Sequence, residues 1–166
     1  MATTFLSEEE ARKGYLTLSS YARFKFLELD RLVVSVLRKA STFGRVVVVT
    51  NAGEGWVQVS ASRYMPMVSA LLEEGNIKVV SARSSYFEQF PEAPLEWKVH
   101  AFHDELREQG FEQGKLNLIV IGDSLSDQYA AHEVVSRLRS TADTDTMLKF
   151  VKLIDRPSLD QLKKQM

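Results

Sequence analysis

Apolar positions along the chain switch repeatedly between two periods. Between Tyr21 and Ala40, the residues Leu29, Leu32, Val33, Val36, Leu37 and Ala40 recur at helical spacing. Gly44 stands where a helix C-terminus would leave off. Val46-Val47-Val48-Val49 then forms a continuous β-branched run, the mark of a strand buried on both faces. The same change recurs three times. A helical pattern over about 57–73 leads to a strand at Ile77-Lys78-Val79-Val80, and one over about 95–109 leads to Leu118-Ile119-Val120-Ile121. A third, over about 127–138, leads to Phe150-Val151-Lys152-Leu153-Ile154, after which Ser158 can cap a last helix. Upstream, Ser7 and Glu10 have capping-box spacing and predict a short helix over about 8–13 that ends at Gly14.

Strands alternating with helices predict parallel βαβ units and an α/β fold, a three-layer α/β/α sandwich on a Rossmann-like parallel sheet. No linker or repeat interrupts the pattern. One domain is expected over 1–166, with 1–20 an N-terminal extension and 21–166 the α/β core. The expected loops are 83–94 and 139–146.

Composition narrows the function classes. The chain has 166 residues, 45% hydrophobic and 26% charged, which suits one soluble domain with a real core. Its 21 basic and 22 acidic side chains leave a net charge of −1, so no basic footprint points to nucleic acid or an anionic membrane. With no cysteine, a disulfide scaffold, a thiolate zinc site and a cysteine nucleophile are excluded. The apolar runs are far too short for a membrane span. Glu8-Glu9-Glu10 is wrong for a secretory or transit leader, so an intracellular soluble protein is expected.

Ligands of open α/β sheets bind outside the carboxyl ends of the strands. Those ends read Thr50-Asn51-Ala52-Gly53, Ser81-Ala82-Arg83-Ser84-Ser85 and Gly122-Asp123-Ser124, with Asp127 shortly beyond and Lys98 near the start of a helix. A hydroxyl with free amides, an ammonium group and two carboxylates at one rim suit a phosphate and a divalent cation. Thr50 and Asn51 would take phosphate oxygens and Lys98 would neutralise charge, while Asp123 would be a hard oxygen ligand for Mg²⁺.

This constellation resembles the haloacid dehalogenase-like (HAD) superfamily. Its second motif, an apolar strand ending in Thr or Ser, is matched by Val46 to Thr50. Lys98 matches its lysine motif, and Gly122, Asp123 and Asp127 match G-D-x-x-x-D. The likeness extends to a eukaryotic HAD-like group through VVVVTNAGEGWVQVSASRYMP (46–66), VVSARSSYFEQFPEAPLEWKVHAF (79–102), LIVIGDSLSDQYAA (118–131) and KFVKLIDRPSLDQLKKQM (149–166). It covers residue 25 or so to the end. Several ordered blocks are more specific than any one motif.

One departure bears on function. HAD enzymes attack phosphate with the first Asp of a D-x-D motif at the end of the first strand. No D-x-D stands at the end of an apolar strand in this chain: Asp143-x-Asp145 precedes the last strand, and Glu28-x-Asp30 lies inside the first helical pattern. The resemblance therefore implies that the central first strand and its aspartate are missing or replaced. Either Tyr15 to Ser19 or a rearranged contact fills that slot, or the strand lies upstream of Met1, as the likeness of Thr3-Thr4-Phe5-Leu6 to the residues after the nucleophile loop suggests. No segment is long enough for a large cap domain. The expectation is a HAD-like protein without its nucleophile, a binding or structural module with a protein partner or a phosphorylated small molecule as ligand. The alternative is a truncated Mg²⁺-dependent phosphohydrolase, with Asp123 and Asp127 as vestigial metal or outer-sphere groups.

Competing readings remain beside the resemblance. Gly122-Asp123-Ser124-Leu125 also spells the opening block of GDSL-type esterases with Ser124 as nucleophile, but no late D-x-x-H pair follows. Gly53-x-Gly55 is a partial dinucleotide fingerprint and equally a turn into the Trp56 helix. His100, His103 and Asp104 have metal-like spacing but lack a further ligand. Arg83 either pairs with an acid such as Glu88 or meets a phosphate. Lys98 also reads as a surface lysine, Asp127 as a helix-dipole partner, and Thr50 as a strand end bonded to backbone. Trp56, Trp97 and Tyr64 read as core or interface.

Overall fold

The computed structural model describes residues 18–111, 114–141 and 144–166. The capping box at Ser7, the helix over 8–13 and the strand expected from Tyr15 fall outside the described residues or run into them only at Leu18. Mixed α/β architecture is present, with parallel pairing. The four described strands do not form one sheet, however. β1 (Val47–Thr50) pairs with β2 (Lys78–Ser81), and β3 (Gly114–Gly122) pairs with β4 (Thr144–Lys152), each as a separate two-stranded sheet. The alternating pattern thus yields parallel pairs, and among the described residues no strand joins the two pairs into one sheet. Among the described residues no helix is long and apolar enough to cross a membrane.

The chain divides into two compact units, of which the first holds, among the described residues, 18–48, 54–79 and 156–166. Its long helix α1 (Ser20–Ser41) starts where the Ser19 hydroxyl accepts a hydrogen bond from the Ala22 amide at 3.2 Å, and it carries Arg38 and Lys39 in its last turn. Phe26, Leu29 and Val34 turn its apolar stripe inward. They meet Tyr64, Met65, Val68, Leu71 and Ile77, with Phe26 and Tyr64 stacked at 5.5 Å.

The helix expected over 57–73 is two helices, α2 (Trp56–Tyr64) and α3 (Pro66–Glu73). A residue before proline is pushed out of the α region, and Met65 takes φ −140°. Proline removes one orphan amide at the start of α3. Asp30 of α1, fully buried, accepts from the next two amides, Met67 at 2.9 Å and Val68 at 2.8 Å. The acid of Glu28-x-Asp30 is thus a helix cap supplied from another helix. After Ser158, whose side chain and that of Gln161 form a reciprocal capping box, α7 (Leu159–Gln165) buries Leu162 in the same core. Lys163 bonds Glu28 at 2.7 Å and Lys25 bonds Asp160 at 2.6 Å.

The second unit holds residues 49–53 and 80–155. The stretch expected as a loop over 83–94 contains a short helix, α4 (Ala82–Tyr86), before α5 (Pro94–Glu108). Ala82, Trp97 and Ala101 pack there with Val49, Val80 and Phe90, and the Trp97 indole donates to the Phe90 carbonyl at 2.8 Å. β3 and β4 run in parallel register from Gly114 beside Thr144 to Gly122 beside Lys152. Both are longer than their apolar runs, and α6 (Leu125–Thr141) is longer than its apolar pattern, so of the loop expected over 139–146 the described residues belong to helix or strand and 142–143 lie outside the described residues. Hydrogen bonding along the ladder carries the polar ends of the strands into the sheet.

Leu106 of α5 and Val134, Val135 and Leu138 of α6 cover Leu116, Leu118 and Leu148. The alternate positions of β3 and β4 are exposed. The run Leu118 to Ile121 is therefore buried on one face, with Ile119 and Ile121 exposed on the other.

Candidate functional site

The turn from β3 into α6 is built by a reciprocal cap. The Ser124 hydroxyl accepts from the Asp127 amide at 3.2 Å, and Asp127 Oδ2 accepts from the Ser124 amide at 3.1 Å. Serine followed three residues later by an acid satisfies two orphan amides at once. The Ser124 hydroxyl also lies 2.7 Å from Asp127 Oδ2 and 2.8 Å from the Ser126 hydroxyl.

Asp127 Oδ1 accepts a hydrogen bond from the Lys98 ammonium of α5. Both residues are buried, at 8% exposure each, so Lys98 is not the surface lysine that its sequence context allowed. Burial pushes the Asp127 carboxyl up, but bonds from Lys98 and Ser124 and the Lys98 charge outweigh it. The group titrates below the usual carboxylate range.

Gly122 makes this approach feasible. A Cβ there would stand 2.5 Å from Asp127 Oδ2 and 2.6 Å from its Cβ and Cγ. The glycine of G-D-x-x-x-D is therefore required by the close passage of Asp127. Asp123, next along, engages through its carbonyl, which accepts from Lys152 at 2.7 Å; the same ammonium donates to the Leu153 carbonyl at 2.7 Å. Sequence reasoning missed Lys152 as part of this turn. Its place beside Gly122 in the strand register is the signal that locates it.

The end of β1 forms a second polar turn. Thr50 Oγ1 accepts from the Ala52 amide at 3.1 Å, and the Ser81 hydroxyl donates to the Ala52 carbonyl at 2.7 Å. Ser81 also caps α4 by accepting from the Ser84 amide at 3.0 Å. The Asn51 side-chain oxygen is buried, and among the described residues it has no hydrogen-bond partner. Arg83 sits over the Phe87 ring, 5.9 Å from its centroid, a cation–π contact rather than the anticipated Glu88 pair.

The structure thus joins Lys98, Asp127 and Ser124 directly. Among the described residues no hydrogen bond or ion pair links Thr50, Asn51 or Arg83 to that group.

The other candidates take ordinary places. His100 stacks on Phe90 at 4.3 Å with Glu96 3.9 Å from its Nε2, and His103 Nδ1 lies 3.4 Å from Asp104. Among the described residues no group of three or more His, Asp or Glu side chains is placed to hold a metal ion. Ser124 meets Asp127 and Ser126, not a histidine, and His132 is exposed. Gly55, at φ 75°, precedes α2 as its cap residue, which is the turn role. Tyr64 and Trp97 are core, whereas Trp56 is 42% exposed.

A network that the sequence did not signal joins α5 to α6. Arg137 donates to Glu96 at 2.8 Å and to Glu133 at 2.8 Å, and the Tyr129 hydroxyl donates to Glu96 at 3.0 Å. Burial raises the Glu96 carboxyl, but the bonds from Arg137 and Tyr129 bring it below its ordinary value. Glu133 and Arg137 stand one helical turn apart, the spacing at which opposite charges pair along a helix.

No family model, curated protein or solved structure matches this chain.

Proposed function

We propose that the chain is a HAD-like protein without the catalytic nucleophile, a Rossmann-like core retained as a binding or assembly module. The observation that carries this reading is the closed circuit of Lys98, Asp127 and Ser124. The resemblance assigns Lys98 to phosphate and Asp127 to the metal's surroundings. Here the ammonium and the carboxylate neutralise each other in a buried pair, and the second carboxylate oxygen is taken by Ser124. Groups so engaged hold a turn together and leave little charge for a substrate phosphate. The grouping of the described strands as β1 with β2 and β3 with β4 also agrees with a family sheet whose shared central strand is missing or replaced.

The residues fit Mg²⁺ poorly at Asp127. Magnesium needs near-octahedral oxygen ligation, and an ammonium group already bonded to the carboxylate repels it. Asp123 is the carboxylate left at this turn, and one carboxylate supports weak binding at most. We derive no catalytic step through the ion.

A phosphatase assay on the full chain, with an aryl phosphate and Mg²⁺, tests the reading. Turnover at background in both the parent and Asp123→Asn is the expected result. Mg²⁺-dependent turnover that Asp123→Asn abolishes would overturn it in favour of a phosphohydrolase.

A further inference from the structure

The face of the β3–β4 sheet opposite α5 and α6 presents Ile119 (50% exposed), Ile121 (55%), Met147 (59%) and Val151 (45%). The strand register sets Ile121 beside Val151 and Ile119 beside Lys149, with Met147 one step further along. Parallel sheets bury both faces, and here α5 and α6 serve only one. Four large aliphatic side chains on one open sheet face form a contiguous patch, unlike scattered surface hydrophobics.

Lys149 decides what covers it. It is exposed within the apolar patch, and among the described residues its ammonium has no acidic partner. A second copy docked face to face about a two-fold axis would bring Lys149 against its own counterpart near the patch centre. A partner with a carboxylate at that point gains an ion pair instead. From residue 117 to residue 121 the strand rises about 13 Å, the length of about nine helical residues.

We propose that this sheet face docks an amphipathic helix of a protein partner, its apolar stripe on Ile119, Ile121, Met147 and Val151 and an acidic residue meeting Lys149. The inference gives the assembly reading above a partner of stated chemistry. It rests on the sheet face alone, so the phosphatase assay and the following titration can fail separately.

The probe is a helix-stabilised synthetic peptide with Leu at i, i+3 and i+7 and Glu on one flank, titrated against the full chain by fluorescence anisotropy. Saturable binding is expected, weakened about tenfold by Lys149→Glu and more by Ile121→Ser. Both positions are exposed, and circular dichroism of the variants verifies the fold. A peptide with Lys in place of Glu should bind Lys149→Glu better than the parent protein.

Absence of saturable binding by the Glu peptide overturns the proposal. So does equal affinity for parent and Lys149→Glu, or equal binding of a proline-broken peptide, which would point to an added strand. A dimer in sedimentation velocity that Ile121→Ser dissolves overturns it in favour of a second copy.

Discussion

Replacing Lys98 by Met isolates what the buried pair contributes. The side chains of Lys98 and Asp127 are each 11% accessible. At contact distance and an effective dielectric of 20, opposite charges attract by about 5 kcal/mol. Desolvation costs several kcal/mol per ion, so the pair as a whole comes out near balance. Removing one member is different, because Asp127 then keeps its burial and loses its counter-charge. The expected loss is about 3 kcal/mol, a fall in Tm of roughly 6–12 °C for a chain of this length. Asp127→Asn in the same background removes the stranded charge while retaining an oxygen for the Ser124 amide. The double variant should therefore recover about 2 kcal/mol of the loss. Denaturant titration reads this through the buried Trp97 in a Trp56→Phe background, which silences the exposed indole of the other unit. A loss below about 1 kcal/mol for Lys98→Met, or a double variant no more stable than the single one, would refute the argument.

Gly122→Ala should cost about 1–3 kcal/mol, since its methyl group must displace Asp127, and the loss should be non-additive with Asp127→Asn in a double-mutant cycle. Asp30→Ala leaves the Met67 and Val68 amides without their acceptor; denaturant titration should show a loss of about 2–4 kcal/mol. Acid should unfold the second unit through Asp127. Its lowered pKa means a contribution to stability that is present above the unfolded value of about 3.9 and lost as pH falls through the folded value. In Lys98→Met, where burial acts without the ammonium, the acid transition should move to higher pH, as read by Trp97 fluorescence. Burial first, and then the hydrogen bond to Asp104, raise the Tyr86 phenol, so ultraviolet titration should show a tyrosine ionising above the ordinary range that Tyr86→Phe removes.

Periodicity located every described strand and the long helices because their apolar residues repeat over enough turns to dominate. The break at Met65 was written in the chain as Met-Pro, but a continuous apolar stripe concealed it. The ends of β3 and β4 were underestimated because Lys115, Asn117, Asp145 and Lys149 interrupt the apolar runs from an open face. Whether two strand pairs join depends on backbone pairing that side-chain patterns do not report. At the candidate site, Gly122, Asp123 and Asp127 stood out by spacing, yet their roles did not. Spacing cannot say that Lys98 would spend its charge on Asp127, or that Asp123 would engage through its carbonyl. Asp30 was legible as an acid in an amphipathic helix, but the amides that donate to it lie far along the chain in α3.

The same long-range cap changes how the first unit opens. The leading turn of a helix ordinarily frays first, because its amides lack intrahelical partners. In α3 those amides are held by a carboxylate belonging to α1. Freeing them strands a fully buried carboxylate unless α1 moves as well. Local fraying is thereby converted into separation of two helices, so hydrogen exchange at Met67 and Val68 follows the opening of the unit's core, and the start of α3 belongs to its slow-exchanging centre.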